Sequence, residues 1–160
     1  LTSEAVTEGH PDKICDQISD AIVDAYLTQD PASHVAVEAF VSGNVLTLAG
    51  EVASAATVDV TALARKVIAD IGYTDPSLGF TADSCLVFTN IHQQSTDIQQ
   101  GVTQAEGDSI VGSGDQGIMY GYATNETPNY MPLTVNLAQG LVRRLDRVRH
   151  DTALGTIPAA

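Results

Sequence analysis

The sequence predicts an α+β fold, on three observations. Residues 11 to 29 and 59 to 71 repeat apolar side chains at the three- and four-residue spacing of a helix face. Between them, two apolar runs, 34 to 41 and 45 to 52, flank Ser42-Gly43-Asn44 in the manner of a hairpin. The 160 residues are 44% apolar. A chain of this size typically buries roughly 70% of its unfolded surface, so intrinsic disorder is not expected.

Each element has its own signals. In the first helix Pro11 takes the first helical position, Asp12 sits in the first turn, and Ile14, Ile18, Ala21, Ile22 and Ala25 face inward. Asp30-Pro31 ends it. Asp12, Asp16, Asp20 and Asp24 recur at every fourth position as one stripe, read as a solvated face. Asp12 differs from the others because it stands beside His10 and Lys13.

In the first strand Val35, Val37, Ala39 and Val41 share one face, and Ala36, Glu38 and Phe40 the other. A two-residue Gly43-Asn44 turn would pair Val41 with Leu46 and Glu38 with Ala49. Glu51 would then lie on Glu38's face as a diagonal neighbour, at roughly 7–8 Å. A three-residue loop would turn the two carboxylates to opposite faces. Asp59 caps the second helix, Leu63, Ala64, Val67, Ile68 and Ile71 face inward, and Gly72 closes it. Residues 84 to 91 read as a third strand. From 93 to 117 the chain is polar and unpatterned, with glycines at 101, 107, 112, 114 and 117, as in a lid or a disordered loop. A short strand over 118 to 123 and a helix over 132 to 149 follow, the helix ending in Arg143, Arg144, Arg147 and Arg149.

Charge narrows the class of function. Twenty Asp and Glu against 7 Lys and Arg leave a net charge of −13, which argues against a nucleic-acid or anionic-membrane binder. No apolar stretch approaches the roughly 20 residues that cross a bilayer, and residues 1 to 10 lack the basic and apolar regions of a signal peptide. Cys15 and Cys85 have neither metal-ligand spacing nor a disulfide pattern, so a reducing, cytoplasmic setting is expected. Only Lys13, Arg65 and Lys66 precede Arg143, whereas nearly all the acids do. An anionic ligand must draw positive charge from divalent metal, helix N-termini or another chain.

Three places could carry chemistry. Gly9-His10-Pro11-Asp12-Lys13 sets an imidazole, a carboxylate and an ammonium at a loop-to-helix junction, where free N–H groups and the helix dipole favour an anion. Such a junction can hold a phosphate with its metal, or it can be a capped helix start with incidental polar neighbours. Gly112 to Gly117 allows close backbone approach, with Asp115 as an acceptor, or is a plain loop. Glu38 and Glu51 are either exposed strand residues or two carboxylates on a common face.

Taken together, residues 2 to 20, Gly50-Glu51-Val52, Gln94-Ser95-Thr96-Asp97-Ile98 and residues 114 to 127 resemble the S-adenosylmethionine synthetase (methionine adenosyltransferase) family, in the family's order, from residue 2 to about 150. The resemblance implies two-layer sheet-and-helix domains: one over 1 to 97, a mobile lid and Gly-rich loop over 98 to 117, and the start of a second, similar domain over 118 to 160. It implies transfer of the adenosyl group of ATP to the sulfur of L-methionine, with the triphosphate cleaved to pyrophosphate and phosphate. Magnesium, two ions per site, and potassium assist in the family. By the same resemblance His10 contacts the polyphosphate near the breaking bond, Asp12 binds magnesium with Lys13 in the same motif, and Glu38 belongs to the potassium site. Glu51, Gln94 and Asp115 line the methionine and adenosine pockets. Gln94 also opens the lid that contains Asp97.

Two departures are local: Ser113 replaces the usual Ala, and Gln139 replaces a common His. The third is length, since the family's chains are more than twice as long and their later parts carry basic residues that hold the triphosphate. Family active sites lie between two subunits, so a homo-oligomer or a complementary chain is implied. The chain is therefore expected to be an N-terminal part that needs its remainder, or else a non-catalytic relative that binds or regulates a partner.

Overall fold

The computed structural model describes residues 1–93 and 116–151. Helix α1 spans Pro11–Gln29. Its inward row is Ile14, Ile18, Ile22 and Tyr26, one residue per turn and all buried, while Asp12, Asp16, Asp20 and Asp24 are exposed on the other side as the stripe predicts. Fully burying an Ile is worth roughly 1.5–3 kcal/mol, so this row supplies much of the force that holds α1 down.

Strand β1 (His34–Ser42) and strand β2 (Val45–Ala53) pair antiparallel. The connection is the two-residue Gly43-Asn44 turn, with Gly43 at φ 58°, as a primed hairpin turn requires of its first central residue. Val41 therefore pairs with Leu46, Glu38 with Ala49 and Ala36 with Glu51. The predicted parity holds, and Glu38 and Glu51 share a face of the sheet.

Helix α2 (Val60–Ile71) opens on Asp59, whose carboxylate accepts from the Ala62 N–H at 2.9 Å, and closes on Gly72 at φ 112°. It is the crossover that lets strand β3 (Leu86–Gln93) lie parallel to β2, so the sheet is mixed with order β1-β2-β3. α1 packs on β1 and α2 packs on α1, giving one helical layer on one sheet face. The core between them joins the α1 row to Val37, Leu46, Leu48, Ala64, Ile68, Ile71, Phe80 and Cys85. The outer face of the sheet carries Glu38 and Phe40 from β1 and Leu86 and Phe88 from β3, and Phe40 remains 65% exposed.

Two expectations need correction. The third strand begins at Leu86 rather than 84, because Ser84 and Cys85 are held in a turn. The Cys85 N–H donates to the Thr81 carbonyl at 3.0 Å, and Arg65 donates to the carbonyls of Ala82, Asp83 and Cys85. Residues 118 to 123 form no strand, and Met119 and Tyr120 are about 90% exposed. The last described helix, α3 (Leu133–Asp151), begins where the Glu126 carboxylate accepts from the Leu133 N–H at 3.1 Å, and it leaves Leu137, Leu141 and Leu145 exposed along one side. Among the described residues no helix is long and apolar enough to cross a membrane.

Candidate active site

The site starts at the N-terminus of α1. His10 is the helix cap: its backbone is extended (φ −66°, ψ 139°), its carbonyl accepts the Ile14 N–H at 2.9 Å, and its Nδ1 accepts the Asp12 N–H at 3.2 Å. An imidazole accepting at Nδ1 carries its proton, when neutral, on Nε2, which makes the outer nitrogen a donor. One of the free N–H groups expected at this junction is thus already taken by the neighbouring side chain, and the junction offers an imidazole N–H in its place.

Asp12 and Lys13 open a groove of 430 Å³ between α1 and β1, lined also by Cys15, Asp16, Glu38 and Phe40. The structure thus brings Asp12, Lys13 and Glu38 to one concavity, because α1 packs on β1, the edge strand of the sheet, and the groove runs along the junction of the two. Lys13 is already committed: its Nζ donates to Asp16 Oδ2 at 2.7 Å. The groove is therefore acidic, with Asp12, Asp16, Asp20 and Glu38 along its walls. Burial pushes the Cys15 thiol up, and the charges of Asp12 and Asp16 add to this, although a hydrogen bond to the Val41 backbone works the other way. The raised value favours the protonated thiol.

Glu51 sits on the same sheet face as Glu38 but does not line this groove. It stands in the row Ala36, Glu51, His92. His92 was not singled out from the sequence, since its place beside Glu51 depends on the parallel register of β3. Gln94, Asp97 and Asp115 lie outside the described residues. Among the described residues no three His, Cys, Asp or Glu side chains converge as a metal cage.

The loop before His10 is held by residues that the sequence did not mark. The Tyr73 hydroxyl donates to the Gly9 carbonyl at 2.7 Å. Gln17 Nε2 donates to the carbonyls of Glu8 at 2.9 Å and Lys13 at 3.0 Å. The Glu8 carboxylate meets His150 Nε2 of α3 at 2.5 Å, and Ser3 and Thr134 share a hydroxyl hydrogen bond of 2.8 Å. No local pattern announces these contacts, most of which join distant parts of the chain.

Comparison with known proteins decides the family. Residues 1–96 match the family profile described as S-adenosylmethionine synthetase, N-terminal domain. The chain belongs to the S-adenosylmethionine synthetase family. Residues 110–159 match the profile for the central domain of the same synthetase. The chain is 55% identical over 158 residues to S-adenosylmethionine synthase 1 of Rhodopseudomonas palustris, covering 99% of this chain and 40% of that one. It is 53% identical over 154 residues to S-adenosylmethionine synthase 1 of Rhodospirillum rubrum, covering 96% and 39%. A Synechococcus synthase is 56% identical over 161 residues, covering 97% and 40%. The chain thus spans about two fifths of the length of these synthetases.

Proposed function

We propose that this chain forms the N-terminal part of a methionine adenosyltransferase site, joining the sulfur of L-methionine to C5′ of the ribose of ATP. The observation that carries the reading is the placement, in a synthetase-family chain, of a donor imidazole at His10 beside a groove lined by Asp12, Lys13 and Glu38. A thioether is already a nucleophile, so no general base is required. The demand falls on stabilising the charge that gathers on the departing triphosphate, which the same site then cleaves to pyrophosphate and phosphate.

In this reading His10 donates from Nε2 to the polyphosphate near the breaking bond. Asp12 offers carboxylate oxygens to magnesium and Glu38 to potassium. Magnesium is commonly held by one or two carboxylates together with substrate phosphates, so exposed carboxylates without a third protein ligand suit it. Bound metal would neutralise polyphosphate charge. Glu51, Gln94 and Asp115 contact methionine or adenosine, with Gln94 and Asp97 in a lid over 98 to 117 and its approach. Residues 1 to 97 form one domain, and 118 to 160 begin a second.

An acidic groove whose lysine is already paired cannot hold triphosphate unaided. The missing positive charge comes from the metals and from a complementary chain or the remainder of the protein, in an oligomer working in the cytoplasm. The exposed Phe40, Leu86 and Phe88, on the same sheet face as Glu38, support a covered outer face.

The test is to join this chain to the C-terminal remainder of the Rhodopseudomonas palustris synthase. The chain alone should form no S-adenosylmethionine from ATP and methionine, and the joined protein should form it with magnesium present. Turnover by the chain alone, free of host enzyme, or a folded joined protein that binds neither substrate, would defeat the reading.

A further inference from the structure

We infer that Tyr73 is a positioning residue for His10, fixing the loop that aims its imidazole; this rests on the reading that His10 contacts the polyphosphate. The Tyr73 ring packs edge-on against Phe80, with centroids 5.2 Å apart. A phenylalanine would make that contact equally well, so the ring explains the core but not the hydroxyl. The hydroxyl spans 64 residues of chain to reach the carbonyl of Gly9, the residue immediately before His10.

Gly9 is buried, so its carbonyl has little recourse to water if the phenol is removed. Gln17 holds the preceding carbonyl, at Glu8, and the His10 N–H donates to the Thr7 carbonyl at 3.1 Å. These bonds fix the two peptide planes before His10, and the Asp12 N–H then fixes the ring through Nδ1. Tyr73 thus acts on the imidazole through the backbone and touches neither substrate nor metal. Burial pushes the phenol up, with the Arg149 charge opposing, which keeps the proton that it donates.

Two measurements test this. In the uniformly ¹⁵N-labelled chain, Tyr73→Phe should speed exchange of the Asp12 amide and move the His10 Nδ1 resonance away from that of a hydrogen-bonded acceptor. In the joined synthase described above, Tyr73→Phe should lower kcat by about ten- to a hundredfold while KM for methionine stays within about twofold, the signature of a misplaced group rather than a lost binding contact. Phe80→Leu is the packing control: it should lower Tm and leave kcat near the parent value.

Parental kcat and parental Asp12 exchange in Tyr73→Phe would overturn the proposal, as would an equal loss of kcat in Phe80→Leu. If Tyr73→Phe does not fold, Gln17→Met loosens the same loop through the Glu8 carbonyl and must reproduce both effects. His10→Asn separates the two readings. Full activity in that variant removes His10 from the site, whereas the resonance measurement still decides whether Tyr73 sets the loop.

Discussion

Replacing Gly50 by alanine should disrupt the sheet at the point where the two carboxylates are brought together. Gly50 pairs with Val37 in the middle of the β1–β2 ladder and has φ 145°, a region nearly closed to other residues. A Cβ built there would lie 2.0 Å from the Ala36 carbonyl oxygen and 2.9 Å from the Val37 Cα. Both are backbone atoms of the partner strand, so no side-chain rotation relieves the clash. β1 must move away by an ångström or more, or Gly50 must change conformation.

Overpacking costs about 1–3 kcal/mol and a Gly-only backbone conformation about 1–3 kcal/mol, so Gly50→Ala should lose roughly 2–6 kcal/mol. That is a large share of the ~5–15 kcal/mol typical of a whole protein. At about 2–4 °C per kcal/mol for a chain of this size, Tm should fall by roughly 4–24 °C. Thermal unfolding followed by far-ultraviolet circular dichroism, with urea titration for the free energy, measures it. A Tm within about 2 °C of the parent would show that the strands separate easily there, and the close-approach argument would fail.

Other substitutions probe other links. Asp12→Asn should leave Tm within about 4 °C of the parent, since an exposed first-turn charge is worth ~0.3–1 kcal/mol, while weakening magnesium-dependent nucleotide binding in the joined synthase; equal magnesium affinity would make Asp12 only a helix-start residue. Arg65→Met removes the donor shared by the carbonyls of Ala82, Asp83 and Cys85 and should cost roughly 1–3 kcal/mol in urea unfolding. An unchanged midpoint would show that water replaces it. The N–H groups of Ala55 and Ala32, with the Ser54 and Ser33 hydroxyls, hold the Asp30 carboxyl below its usual range. A depressed folded value means that its stabilisation is present above the ordinary carboxylate pKa of about 3.9 and is lost as pH falls through the folded value. The parent should therefore lose more stability than Asp30→Asn on acidification into that range, and parallel acid profiles would refute the linkage.

What could be read from the sequence was mostly local. Pro11, Asp59 and Gly72 mark helix ends through their own backbone chemistry, and Asp30 is the residue that caps the end of α1. The Gly43-Asn44 turn set the hairpin register, and with it the shared face of Glu38 and Glu51. The start of β3 is not legible locally, because Ser84 and Cys85 follow the strand pattern, whereas the turn that removes them depends on Arg65, about twenty residues away. Residues 118 to 123 form an apolar and aromatic run that reads as a strand, yet a strand exists only where another backbone accepts its hydrogen bonds, and the run cannot specify that neighbour. At the candidate site, His10, Asp12 and Lys13 were visible as a run. The groove that joins Asp12 to Glu38 arises from the packing of α1 on β1, and Tyr73 and Gln17 gave no local sign.

The bond from Tyr73 to Gly9 also bears on the order of events during synthesis. A ribosome adding roughly 5–20 residues per second releases the His10 loop several seconds before Tyr73 is made. During that interval α1 can coil and Gln17 can hold the Glu8 carbonyl, but the carbonyl of Gly9 lacks its partner. The His10 imidazole is then among the last features of the first sheet-and-helix layer to take its position, set only when the chain beyond α2 folds back onto the N-terminus.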